Sequence, residues 1–163
     1  MQPSLQGNII AVCLSPNGGV PKHPQTSIFI GEHGVEGDYH SGPINRHKKA
    51  GPPEPNSRQL TLVALEVLEE LNARLGIELQ PGNLGENITT SGLGDLAHLQ
   101  KGDQLQLGTD VIIEITEQNK PCSVLDIYHP KIVRESAGKR GVAAIVVNSG
   151  TIQPGDTCRN LSQ

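Results

Sequence analysis

The chain has 163 residues and a formal net charge of −4. That length fits one hydrophobic core and is too short for two cores joined by a linker, and a net-negative chain gains nothing from the electrostatic term that drives binding to phosphate backbones. Nucleic acid is therefore not an expected partner. No apolar stretch approaches the roughly 20 residues that cross a bilayer, and the polar start, Met1 to Asn8, lacks the basic and apolar regions of a secretory signal. The expected setting is the cytoplasm, with no membrane partner.

In chain order, Asn8–Leu14 (NIIAVCL) is rich in β-branched residues and reads as a first strand, with Cys13 inside it. Pro16–Pro24 carries Gly18, Gly19, Pro21 and Pro24 and reads as a loop. Ser27–Ile30 is a second short strand. A long polar segment follows, from Gly31 to Ser57, rich in glycine and proline; His33, His40 and His47 lie in it and His23 just upstream. A loop of this length in a compact domain is either functional or mobile. Function is expected for its first half and mobility for Lys48–Asn56.

Arg58–Leu62 alternates polar and apolar residues and reads as a strand. Ala64–Leu75 is the main helix: Ala64, Leu68, Leu71 and Leu75 share one face, Glu70 and Arg74 form an i,i+4 pair, and Gly76 is a natural stop. Pro81–Gly85 is a turn and Glu86–Thr90 a strand. Gln104–Leu107 and Val111–Thr116 form a hairpin. Ser123–His129 and Lys131–Gly138 read as short helices separated by Pro130. Val142–Asn148 is a buried strand, and Thr157–Leu161 is the last. About eight short strands, one good helix and no βαβ alternation give a mainly β chain: a closed or nearly closed β-barrel with one main helix and short helical decorations. Residues 1–163 read as a single domain.

The three cysteines, Cys13, Cys122 and Cys158, show neither a disulfide framework nor zinc-ligand spacing, so all read as free thiols, and neither zinc nor haem is expected. Cys13 and Cys158 fall within strands and read as buried structural residues. Cys122 follows Lys120 and Pro121 in a loop and opens a helical turn. A thiolate there is stabilised, and the expected pKa lies below the free value of about 8.5. That suits a nucleophile, a sulfur carrier or a soft-metal ligand. Gly37-Asp38-Tyr39-His40 offers a carboxylate and an imidazole to a metal, but a turn in which Asp38 binds backbone N–H groups is the favoured reading. Asn83, Glu86 and Asn87 lie in a glycine-flanked turn suited to an anion or to a tight hairpin. Arg58, Lys120, Lys139 and Arg140 are the cations nearest the candidate pocket loops, with Lys139 read as a solvated surface charge. No phosphate-loop, Rossmann or Ser-His-Asp signature is present.

Several segments together resemble the MOSC family, named after the C-terminal domain of molybdenum cofactor sulfurase. They are Gly34–His40, Arg58–Leu62, Gly82–Thr89, Gly92-Leu93, Gly102-Asp103, Glu114–Thr116, Lys120-Pro121-Cys122, and Gly150 with Gly155-Asp156. The Gly-Glu-Asn-Ile-Thr run and the Pro-Cys pair are the specific elements. The chain departs from the family pattern at Ser57, at Ser123 and over Val142-Ala143-Ala144. The resemblance implies a β-barrel and a role with the molybdenum cofactor (molybdopterin), by binding it or by handling sulfur for it. Cys122 would be the catalytic residue and the molybdenum ligand. Asp38, Arg58 and Asn87 would be cofactor-binding residues, and Lys120 and Arg140, as cations near the pocket loops, are expected to join them. Some relatives reduce N-hydroxylated compounds. Implied partners are a cysteine desulfurase, a molybdoenzyme or an electron-donor protein. The rival readings are a non-enzymatic cofactor carrier and a barrel that only mediates protein contacts.

Overall fold

The first strand shows how the sequence sets its own surroundings. β1 (Gln6–Leu14) buries alternate residues from Gly7 to Ile9, and then Ala11, Val12 and Cys13 in succession. The pattern changes where its pairing register with a neighbour slips between Ile9 and Ala11. A bulge of this kind bends a strand and shifts its side-chain phase. The computed structural model describes residues 6–162, so the first five residues of the polar N-terminal segment lie outside it.

Eleven strands are present among the described residues. After β1 come β2 (His23–Gln25), β3 (Ile28–Gly31), β4 (Gly34–Val35) and β5 (Leu60–Ala64), then β6 (Ile88–Ser91), β7 (Gln104–Leu107) and β8 (Val111–Gln118). The last are β9 (Val142–Asn148), β10 (Gly150–Ile152) and β11 (Thr157–Asn160). Seven of them close a ring in the order β1, β11, β7, β8, β9, β5, β6 and back to β1. Closure removes the unpaired sheet edges that invite aggregation. Six of the seven pairings are antiparallel; β5 and β6 run parallel. Parallel neighbours need a crossover connection, and helix α1 (Leu65–Leu75) lies in that connection. β10, β3 and β4 form a separate small sheet.

The core is aliphatic. Val12, Leu62, Ile88, Leu105, Ile113 and Val142 are buried. Every residue of β5 is buried, as expected for a strand covered on both faces. On α1 the buried stripe is Val67, Leu68 and Leu71, with Leu75 only partly covered. Ala64 ends β5 instead of opening the helix. Glu70 and Arg74 pair at 3.1 Å, and Gly76 takes a left-handed cap at φ 66°.

Three strands escape a reading by local pattern. β2 contains Pro24 and pairs only with β1 at the rim, where a missing N–H is tolerated. β4 and β10 are two and three residues long. β6 starts two residues later than its apolar pattern suggests because Glu86 and Asn87 are engaged in the preceding turn. The Leu84 N–H donates to Glu86 Oε1 at 3.2 Å, and the Asn87 N–H donates to the Thr61 carbonyl at 3.0 Å. Cys122 caps a 3-10 turn (Ser123–Ile127), and the next helical piece, α2, is the single turn Ile132–Glu135. No helix among the described residues is long and apolar enough to cross a membrane.

Candidate functional site

Loops leaving β1 and β8 and loops entering β5, β6 and β9 line one cavity of about 720 Å³, within the usual range for small-molecule sites. Arg58, Asn87, Lys120, Cys122 and Arg140, all singled out in the sequence, line it. They come from four separate chain segments.

Cys122 is exposed, whereas Cys13 and Cys158 are fully buried and free. Burial is the first cause that pushes both interior thiols up to about 12, with the nearby Glu86 carboxyl adding to it at Cys13. The Cys122 sulfur lies 3.6 Å from Arg140 Nη1. That guanidinium is fixed from behind: Nη1 donates to the Lys120 carbonyl at 3.0 Å and Nη2 to the Leu84 carbonyl at 2.9 Å. The next residue, Gly141, has φ 81°, and a β-carbon there would collide with the Leu62 carbonyl. Glycine is what lets the chain pass this close to β5 and leave Arg140 in the cavity wall.

Arg58 is held by Asn119 Oδ1 at 2.7 Å and by Glu117 at 3.1 Å. Asn87 commits both ends of its amide to backbone: Oδ1 accepts from the Thr61 N–H at 3.1 Å and Nδ2 donates to the Cys13 carbonyl at 3.1 Å. It ties β1, β5 and the start of β6 together and acts as an organiser of the wall.

Asp38 is placed differently. It does not line the cavity. Its buried carboxylate accepts from Lys22 Nζ at 2.8 and 2.7 Å, from the Ser15 N–H at 3.0 Å and from the His40 N–H at 3.1 Å. This is the turn-forming role, with a buried ion pair added. Lys22 lines the cavity, and burial lowers its pKa against the pull of Asp38. Among the described residues no cluster of three or more His, Cys, Asp or Glu could hold a metal. Lys139 points away and donates to Glu70 at 2.7 Å.

Sequence reasoning missed Lys22, His47 and Asn119 as wall residues. A buried carboxylate at Asp38 demands a partner, and that demand is the one signal that could have led to Lys22. His47 stacks on His40 with ring centroids 3.8 Å apart and 9° between planes. Burial is the main cause that holds these rings down to about 4 (His40) and about 3 (His47), with surrounding cations adding to it. His47 is carried by the Gly31–Ser57 segment. The stretch expected to be mobile is tied at its base: Asn56 Nδ2 donates to the carbonyls of His40 and Gly42, both at 2.8 Å, and Ile44 bridges Pro55.

Among the described residues, buried side-chain atoms without a partner are His40 Nδ1, Arg58 Nε, Arg140 Nε and Thr90 Oγ1. Three of these belong to the cavity wall. Such groups are rare in native proteins, and here they concentrate at the cavity wall.

The closed barrel thus carries one exposed thiol against a fixed guanidinium on the wall of a roomy, cation-lined cavity. The chain belongs to the MOSC domain family, whose model matches residues 36–159. It is 31% identical over 144 residues to YuaD of Bacillus subtilis (strain 168), a protein named for metal-sulfur cluster biosynthesis, with 76% of this chain and 73% of that one covered. The crystal structure of Bacillus subtilis YuaD superposes with a TM-score of 0.84 at 24% identity, covering 97% of both chains. YiiM of Geobacillus stearothermophilus gives 0.70 at 21% identity, covering 96% of this chain and 75% of that one. These structural likenesses bear on the fold.

Proposed function

We propose that the cavity binds a molybdenum–pterin cofactor and that Cys122 is its protein ligand or the carrier of sulfur to it. The observation that carries this reading is Cys122, exposed at the cavity with Arg140 Nη1 3.6 Å from its sulfur. The fit is chemical. The described residues offer one accessible soft donor and no cluster of ligands for a bare ion. A metal that arrives with most of its donors already supplied by an organic ligand suits such a site. Arg58 and Lys120 supply positive charge for the phosphate of such a ligand. Arg140 orients the sulfur, while Asn87 and Asp38 hold the loops that shape the wall. When bound, the cofactor would supply two-electron redox chemistry. The relative named for metal-sulfur cluster biosynthesis supports the coarser idea of a role in metal–sulfur chemistry.

The reading places the protein in the cytoplasm, where free thiols persist, with a cysteine desulfurase, a molybdoenzyme or an electron-donor protein as partner. It is tested by co-expression with a molybdenum-cofactor biosynthetic system, followed by metal analysis of the wild type and of Cys122→Ser. Molybdenum in the wild type and its loss in the variant is the expected result. Equal molybdenum in both, or none in either, overturns it. Turnover of N-hydroxylated compounds by the loaded protein would mark an enzyme; binding without turnover would mark a carrier.

A further inference from the structure

We propose that Cys122 takes up sulfur directly from small anionic persulfides and selects them by charge. This rests on the reading of Cys122 as the working thiol and adds the class of its reaction partner. The cavity wall carries five cationic residues, Lys22, Lys49, Arg58, Lys120 and Arg140, against one carboxylate, Glu117. Lys22 is ion-paired with Asp38, and Arg58 with Glu117. Among the described residues, no carboxylate forms an ion pair with Lys49, Lys120 or Arg140. His40 and His47 are neutral near pH 7 and leave that excess unchanged. A local excess of positive charge in a concave site focuses the field and raises the local concentration of anions. Here it does so inside a chain whose formal net charge is −4.

The thiol sits against the most firmly held of the three unpaired cations. Arg140 is 8% exposed and lines the cavity, and its Nε has no partner. Its two terminal nitrogens are anchored to backbone carbonyls, so the charge beside the sulfur does not swing away. A fixed cation beside the sulfur receives the anionic sulfur that leaves.

The step balances without an oxidant or reductant. The Cys122 thiolate attacks the outer sulfur of a persulfide R–S–SH. The S–S bond of the donor breaks, a new S–S bond forms to Cys122, and R–S⁻ departs. Cys122 then carries the S–SH group with its proton, and one sulfur atom has moved. A negative charge on R draws the donor toward Lys49 and Lys120, and a positive charge repels it.

The test exposes the folded protein to equal concentrations of glutathione persulfide, which is anionic, and of cysteamine persulfide, which is cationic. Intact-mass spectrometry follows the gain of one sulfur atom, and iodoacetamide labelling of Cys122 runs in parallel. The expected result is at least about tenfold faster gain from the anionic donor, a preference that shrinks at high salt as the Debye length contracts to a few Å. The double variant Lys49→Gln, Lys120→Gln, checked for folding by circular dichroism, should lose most of the preference and still alkylate at Cys122. Equal rates from both donors overturn the inference and leave Cys122 as the working thiol. Absence of sulfur gain from either donor, with normal alkylation, also overturns it. A Cys122 that resists iodoacetamide in the folded protein sinks the underlying reading as well.

Discussion

The barrel interior and the cavity wall are built on different principles, and the cysteines show it. Cys13 and Cys158 sit in strands among aliphatic side chains, inaccessible and pushed up to about 12. Cys122 sits in the cavity wall beside a guanidinium. The interior is held by area removed from water, which is non-directional and tolerates small changes of shape. The wall is held by particular hydrogen bonds and ion pairs, so a change of one or two atoms there can cost more than the loss of a methyl group from the core.

Asp38→Asn against Ile113→Val tests that contrast most directly. Ile113 is a fully buried residue of β8, and trimming one methylene there costs about 1 kcal/mol. Asp38→Asn keeps the shape and removes one charge. It leaves the Lys22 ammonium, whose side chain is 4% exposed, without its counter-ion. Breaking a buried pair from one side costs about 3–5 kcal/mol. Urea denaturation of both variants should show Asp38→Asn as the more damaging by a factor of about three. Equal losses would mean that the wall is held by packing after all.

A smaller effect separates the two regions by pH. The His40 ring, ordinarily near 6.5, is held to about 4, chiefly by burial, with Lys22, Lys49 and Arg58 adding to it and Asp38 opposing it. In the unfolded chain the same ring takes a proton as pH falls through 6.5. Between pH 6.5 and 4 the unfolded state therefore binds more protons, and stability drops as pH falls through that window. Above pH 7 the ring is neutral in both states and contributes no slope. His47 shifts in the same direction, but it keeps an exposed edge that water screens, so the larger share belongs to His40. His40→Phe keeps an aromatic partner for the stack and removes the titration. Comparing urea midpoints at pH 7.5 and pH 5, the wild type should lose about 1 kcal/mol more than the variant, after allowance for solvent screening. Parallel losses would assign the acid sensitivity elsewhere.

The same division governs what could be read in the sequence. The barrel was legible because its signals are local. The β7–β8 hairpin follows from two short apolar runs separated by a turn, and β9 from the run VAAIVVN. The main helix follows from its spacing and from Gly76. β2, β4 and β10 were not legible, because three residues or fewer carry no periodicity and their pairing depends on distant partners. In the cavity, Cys122, Arg58 and Arg140 were marked by the chemistry their types can do. Lys22 looked like any lysine in a proline-flanked loop, and only its contact with Asp38, sixteen residues on, gives it a role. His47 was visible as one of several histidines, but its stack on His40 needs the folded path of the Gly31–Ser57 segment.

Cys122→Ser should produce the smallest change in stability, and that smallness is informative. The sulfur is exposed, and its one side-chain partner is a guanidinium at 3.6 Å, a contact that a hydroxyl oxygen can replace. Surface changes of this kind stay within about 0.5 kcal/mol. Cys13→Ser places a hydroxyl where the thiol is fully buried, and a buried polar group without a new partner costs about 1–3 kcal/mol. Thermal or urea unfolding of the two variants side by side reads the difference directly. A small loss would mark Cys122 as a residue that the fold does not need, placed on the wall of the cavity against a fixed cation. If Cys122→Ser proved as costly as Cys13→Ser, the thiol would be holding the 3-10 turn and its loop in place, and the distinction between interior and wall would fail at the residue on which the functional reading turns.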